Sequence, residues 1–182
     1  MASADPFAAI PQWGMVLLLV GGVALFSWTY GKVKPESPSS PSQVSLEFAG
    51  TPKGVEKLLG AWGFEDIAEL RSSIHYDFLF IIGYAIPLAI LVSGLSRYLG
   101  RSWSVLGELG SVIAWAQLVA GGLDFVENGL LLAILRGSKI PAWPPLACLA
   151  ASVKFGFVGL GLVWIASGIV IALWLKVHPS IP

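Results

Sequence analysis

LVAGGLDFVENGLLLAIL, Leu118–Leu135, decides how the chain is read. Its apolar residues make it part of a helix that crosses a membrane, yet it holds Asp124, Glu127 and Asn128. A charged group at bilayer depth costs about 2.5–3.5 kcal/mol on insertion scales, so such groups turn toward the interior of a helix bundle. Positions i, i+3 and i+4 of a helix share a face, which gathers all three polar residues on one side. Toward the N-terminus that face continues through Gln117, Ala120 and Gly121, a polar stripe with small residues suited to a close helix–helix contact.

The rest of the chain supports lipid as the solvent. Of 182 residues 55% are hydrophobic and only 12% charged, against about a quarter charged in a soluble domain. Mean hydropathy is +0.77. The formal net charge of zero gives no electrostatic case for nucleic acid as a partner. The single cysteine, Cys148, excludes an internal disulfide and a cysteine metal cluster, and in its apolar run it reads as a small hydrophobe.

Trp13–Tyr30 is the first apolar run. Nothing basic precedes it, and it ends in Trp28 and Tyr30 rather than in a small-residue cleavage site, so it is expected to be an uncleaved span with aromatic anchors. Three more spans are expected, from about Ile74 to Leu95, Val105 to Leu135 and Leu146 to Leu175. Short connections between these three make neighbours antiparallel. The fold class is therefore all-α membrane, a four-span helix bundle, divided into 1–30 (N-terminal segment and first span), 31–73 (the one long loop) and 74–182 (a three-helix membrane domain).

Within the loop, Gly31–Gln43 is rich in Pro, Ser and charge and reads as an extended linker. Val44–Gly50 alternates Val44, Leu46 and Phe48 with Ser45 and Glu47, a weak strand-like pattern. Thr51 as N-cap and Pro52 at the first helical position then start a short helix. Its Val55, Leu58, Leu59 and Trp62 form one apolar face, either on the membrane surface or against the ends of the spans. Phe64–Ser73 leads helically into span two. Lys32, Lys34, Lys53, Lys57, Arg71, Arg136 and Lys139 lie on one side of the membrane, and Arg97, Arg101 and Lys176 on the other. The positive-inside rule puts the long loop in the cytoplasm and both termini outside.

Further polar residues belong with the opening stretch. Lys154 in span four is followed by Gly161 and Gly168, seven and fourteen residues on, so the lysine shares the small-residue face. Glu127 and Lys154 each lie about eight residues from the same surface, or about 12 Å deep, which predicts a Lys154–Glu127 or Lys154–Asp124 ion pair. Asp77 and Tyr84 share a face of span two, where Pro87 frees the carbonyl of Gly83 and is expected to kink the helix. Arg71 and His75 are expected at the mouth of the site. Three carboxyls facing one ammonium would leave two uncompensated negatives, which burial disfavours. Either some carboxyls hold protons, or a cation, metal or cationic ligand resides there, or Arg71 or His75 reaches in.

Asp77, Tyr84, Asp124, Glu127, Asn128 and Lys154 are the candidate site, with no catalytic residue assigned. No H-x-x-E-H, E-x-x-H or Cys/His spacing points to a metal, no phosphate or dinucleotide fingerprint occurs, and no cofactor is indicated. The same residues could serve only as polar glue that fixes helix register.

Taken in order, LEFAGTP, HYDFLFIIGY, LDFVENGLL and VKF resemble a group of small bacterial inner-membrane proteins. The group's pattern is F-x-x-(A/S)-x-(T/S)-P, D-F-x-F-x-x-x-Y, D-x-x-E-N and K-F. Phe48, Thr51, Pro52, Asp77, Phe80, Tyr84, Asp124, Glu127, Asn128, Lys154 and Phe155 match it. The resemblance covers residues 45–175; it implies a multi-pass protein of the bacterial inner membrane and carries no activity. The leading expectation is a membrane-embedded binding or assembly protein, with a membrane protein partner or a homo-oligomer. A proton- or cation-linked transporter is the alternative, and a lipid-acting enzyme with an open lateral groove the third.

Overall fold

The computed structural model describes residues 5–33 and 42–178. Six helices make up the fold: α1 (Gln12–Val33), α2 (Gln43–Glu47), α3 (Pro52–Ala61), α4 (Phe64–Leu99), α5 (Ser104–Leu135) and α6 (Trp143–Val177). α1, α4, α5 and α6 are long and apolar enough to cross a membrane. The protein is a multi-pass membrane bundle, as its sequence predicts. α4 and α6 have 36 and 35 residues, or about 50 Å at 1.5 Å per residue, so both project well beyond a hydrocarbon core of about 30 Å.

α4, α5 and α6 pack on one another, while α1 packs chiefly on α4 and touches α6 marginally at most. Small residues set these crossings. Gly22 of α1 lies against the ring of Pro87, and a Cβ on Gly83 would sit 2.6 Å from the backbone nitrogen of Phe26. Gly121 faces Ala85, Gly168 faces Leu95, and Gly161 faces the amide of Gln117. Gln117 Nε2 donates to the carbonyl of Phe157 at 2.9 Å, tying α5 to α6 where they come closest. Pro87 leaves α4 one continuous helix, and its ring becomes the surface on which α1 rests.

The loop between spans one and two differs from its sequence reading. The strand-like alternation over 44–50 does not make a strand: Gln43–Glu47 is a five-residue helix of about 1.4 turns, capped by Ser42, whose Oγ accepts from the backbone N–H of Ser45. Burial overrides the local pattern here, because a helical turn sends Leu46 and Glu47 inward together, where an alternating strand would split them. The expected linker 31–43 is partly helix, since α1 runs to Val33 and Gln43 opens α2; residues 34–41 lie outside the described residues. Gly50, with φ +64°, turns the chain into α3, where Thr51 Oγ1 accepts from the N–H of Gly54. α3 lays Val55 into a core with Leu46, Leu70, Ile74, Leu131 and Leu135, and Leu59 and Trp62 pack at its edge. Packing against the spans, the second of the two readings, thus holds the apolar face of this helix. Phe64–Ser73 is continuous with span two.

At the opposite end Asp5 clasps α4. Its Oδ2 accepts from Arg97 Nε at 2.6 Å and Ser93 Oγ at 2.7 Å, and its Oδ1 from the N–H of Phe7 at 2.8 Å. Partial burial works to raise the carboxyl's pKa, but the bonds from Arg97, Ser93 and Phe7 outweigh it and hold the group below its ordinary 3.8.

Two outcomes follow. Gly83→Val should drive α1 off α4 and lower stability by about 1–3 kcal/mol, as overpacking does, in detergent-denaturation titrations. Gly94→Ala, into open space, should be silent. Because the Asp5 pKa is depressed, the clasp's stabilisation is present above pH 3.8 and is lost as pH falls through the lower folded value. Thermal unfolding of Asp5→Asn should therefore lack the acid-dependent decline that the unaltered chain shows below that pH.

Candidate functional site

The polar residues of three spans and of α2 meet at the α2–α3 end of the bundle. Lys154, 4% exposed, is at the centre. Its Nζ donates to Asp124 Oδ1 at 2.6 Å and lies 2.8 Å from Glu127 Oε2 and 3.6 Å from Glu47 Oε1. Both alternatives for the expected ion pair thus form at once. The other oxygen of Asp124 accepts from Tyr84 Oη at 2.7 Å, which joins α4 to the α5–α6 pair. A second group lies beside the first. Asp77 Oδ2 accepts from Asn128 Nδ2 at 2.8 Å and from Gln43 Nε2 at 2.9 Å, and Gln43 Nε2 also donates to Asn128 Oδ1 at 2.8 Å.

Each placement has a local cause. Asp124, Glu127 and Asn128 share one face of α5 through the i, i+3, i+4 spacing, and all three are buried. Lys154, Gly161 and Gly168 are the last three buried positions along α6. The absence of a Cβ at Gly161 lets α6 approach α5 closely, which brings the ammonium to the carboxylates. Asp77 and Tyr84 sit two turns apart on the inner face of α4.

Six residues named from the sequence, Asp77, Tyr84, Asp124, Glu127, Asn128 and Lys154, are brought together. Arg71 and His75 are not with them. Arg71 Nη2 donates to the carbonyl of Leu135 at 2.8 Å and so caps the C-terminus of α5. His75 is exposed, with Nδ1 2.6 Å from the carbonyl of Arg71 on its own helix. Neither reaches in to balance the carboxyls, since helical geometry sends His75 to the face opposite Asp77.

Two residues escape the sequence reading, Gln43 and Glu47. Glu47 is 2% exposed and brings the carboxyls at the site to four, Glu47, Asp77, Asp124 and Glu127, against the one ammonium. Its only trace in the sequence is an acid between Leu46 and Phe48, two apolar neighbours. Gln43 lies where a Pro/Ser-rich run ends and carries no pattern at all. α2 is held down by all its inward groups: Leu46 in the core, Glu47 at Lys154 and Gln43 at Asp77, with Phe48 just beyond stacked on Phe155 at 6.0 Å.

The cluster borders a cavity of about 690 Å3. Gln43, Glu47, Asp77, Tyr84, Asp124 and Lys154 form its polar part. Val23 and Phe26 of α1, Pro87, Leu88 and Leu91 of α4, and Val158 and Leu162 of α6 form its apolar walls. The volume falls within the roughly 300–1,000 Å3 of pockets that hold a small organic ligand. Among the described residues no three His, Cys, Asp or Glu side chains are arranged to hold a metal ion.

No protein-family model matches the chain, and it has no significant match among curated proteins or solved structures.

Lys154→Met would leave Asp124 and Glu127 facing one another without their shared cation. A loss of about 3–5 kcal/mol, the usual cost of breaking a buried pair, should appear in denaturation of the purified protein. Adding Asp124→Asn should recover part of that loss.

Proposed function

We propose that this protein is a membrane-embedded binding protein that takes an amphiphilic ligand from the bilayer. One observation carries the reading: a buried polar cluster forms one end of a cavity whose other walls are apolar, between two helices, α1 and α6, that make no extensive contact with each other. A ligand that enters from lipid needs an apolar route and a polar terminus for its head. A cluster acting only as glue between helices would need neither.

A lipid-acting enzyme would use the same groove. Binding is favoured over catalysis because Lys154, Asp124, Tyr84, Asp77 and Asn128 are engaged with one another, so that no nucleophile stands ready beside a free base. The Lys/Arg bias supports a cytoplasmic location for the α2–α3 end, and the motif resemblance a bacterial inner membrane. The ligand's head would then sit in the cytoplasmic half of the bilayer.

Photoactivatable fatty alcohols and amines incorporated into vesicles with the full chain test the reading. Crosslinks should map to Val23, Leu88 and Val158. Val158→Trp, which fills the apolar wall, should abolish them while the protein stays folded. Crosslinks spread evenly over the lipid-facing surface of α6, and unaffected by Val158→Trp, would sink it.

A further inference from the structure

The polar end of the cavity has most of its donors engaged and two of its acceptors spare. Of the donors that line it, Tyr84 Oη is taken by Asp124 and both N–H groups of Gln43 Nε2 by Asp77 and Asn128, while Lys154 Nζ gives one hydrogen bond to Asp124 and is paired by charge with Glu127. With Asp77 ionised its oxygens only accept, so the Gln43 nitrogen faces it and the amide oxygen points elsewhere. That oxygen, Gln43 Oε1, has no hydrogen-bond partner. Glu47 Oε2, on a buried residue that lines the cavity, likewise accepts from no N–H donor among the described residues. A buried acceptor left without a donor carries its full desolvation cost. Behind these two acceptors the Glu127 carboxyl lies within hydrogen-bond reach of that of Glu47, an approach that needs a shared proton or a cation, and its 2.8 Å contact with the ammonium is off the line of a hydrogen bond.

Charge points the same way. Among the described residues four carboxyls share one ammonium, and Arg71 and His75 are engaged with backbone carbonyls outside the cluster. An anionic head would meet repulsion from the surplus carboxyls. A hydroxyl could satisfy one acceptor but would leave the charge unbalanced. A quaternary ammonium would supply charge without an N–H for either acceptor. A primary ammonium supplies both, with three donors for Glu47 Oε2, Gln43 Oε1 and one further oxygen. The hydroxyls of Ser42 and Tyr30, which also line the cavity, can donate or accept and do not alter the preference.

We propose that the site selects amphiphiles with a primary ammonium head, seated on Glu47 and Gln43 of α2 with the alkyl part along Val23, Leu88 and Val158. The inference rests on the amphiphile-binding reading and specifies its ligand class. α2 becomes the selecting element, and Glu47 a binding residue rather than a helper of Lys154.

The test is a titration of the purified full chain with dodecylamine, dodecyltrimethylammonium, dodecanol, dodecyl phosphate and ethylamine, read as retained adducts by native mass spectrometry. Dodecylamine should bind about tenfold or more tighter than the other dodecyl compounds, the margin expected for a hydrogen bond to a charged group. Ethylamine should bind far more weakly, because it has no chain for the apolar walls. Glu47→Gln turns the spare acceptor into a donor and should erase the preference for amine while dodecanol binds as before. Equal binding of dodecanol or dodecyl phosphate to the unaltered chain would overturn the selectivity and leave amphiphile binding intact. Ethylamine as tight as dodecylamine would make the site one for a water-soluble amine and overturn the proposal. No retention of any dodecyl compound would overturn both readings. The ligand series on the unaltered chain decides these points even if Glu47→Gln folds poorly.

Discussion

A single ammonium buried among carboxyls is the constraint on which the structure turns. Lys154 touches Asp124, Glu127 and Glu47 from α5 and α2, and Asp124 reaches on through Tyr84 to α4. In a low-dielectric interior none of these groups has water to fall back on, so each helix is held where its polar atom finds a partner. Apolar faces slide past one another in lipid at little cost; an ion pair with hydrogen bonds on both oxygens of Asp124 does not. The cluster therefore fixes the rotation of α4, α5 and α6, and the glycines set how closely they can come.

The same arrangement leaves room on one side. α1 leans on α4 through Gly22, Gly83 and Pro87 and leaves α6 unpaired on the cavity side. The space is bounded by polar groups at one end and by Val, Leu and Phe side chains elsewhere. Pro87 lies within a continuous α4, and its ring is the surface on which Gly22 of α1 rests. The apolar walls are thus a product of how the spans cross, while the polar end is a product of how the charges pair.

The spans were legible because hydrophobicity over about twenty residues is a property of the chain itself. So were the six site residues on the spans, because a polar side chain in lipid must turn inward whatever its neighbours are, and helical spacing then says which ones share a face. Depth from the common surface was enough to match Glu127 with Lys154. α2 was not legible. Its Val44–Phe48 alternation favours a strand, and the chain is helical there only because Leu46 and Glu47 each find a site on the bundle that a strand could not reach together. His75 misled for the converse reason: nearness in sequence to Asp77 says nothing about facing, and two residues along a helix turn a side chain nearly to the far side.

By itself the sequence determined that this protein is a four-span membrane bundle with an acidic, lysine-paired interior, since both follow from what lipid will not solvate. Only the tertiary structure decided that Glu47 and Gln43 of the intervening loop close the cluster, and that the cluster ends a cavity rather than a sealed core. Both depend on contacts between segments dozens of residues apart, such as Gln43 with Asp77 and Asn128, and local pattern holds no record of those. Which hydrogen-bonding atoms are left over after pairing is also a property of the whole assembly, and it is those atoms that define what the site can bind.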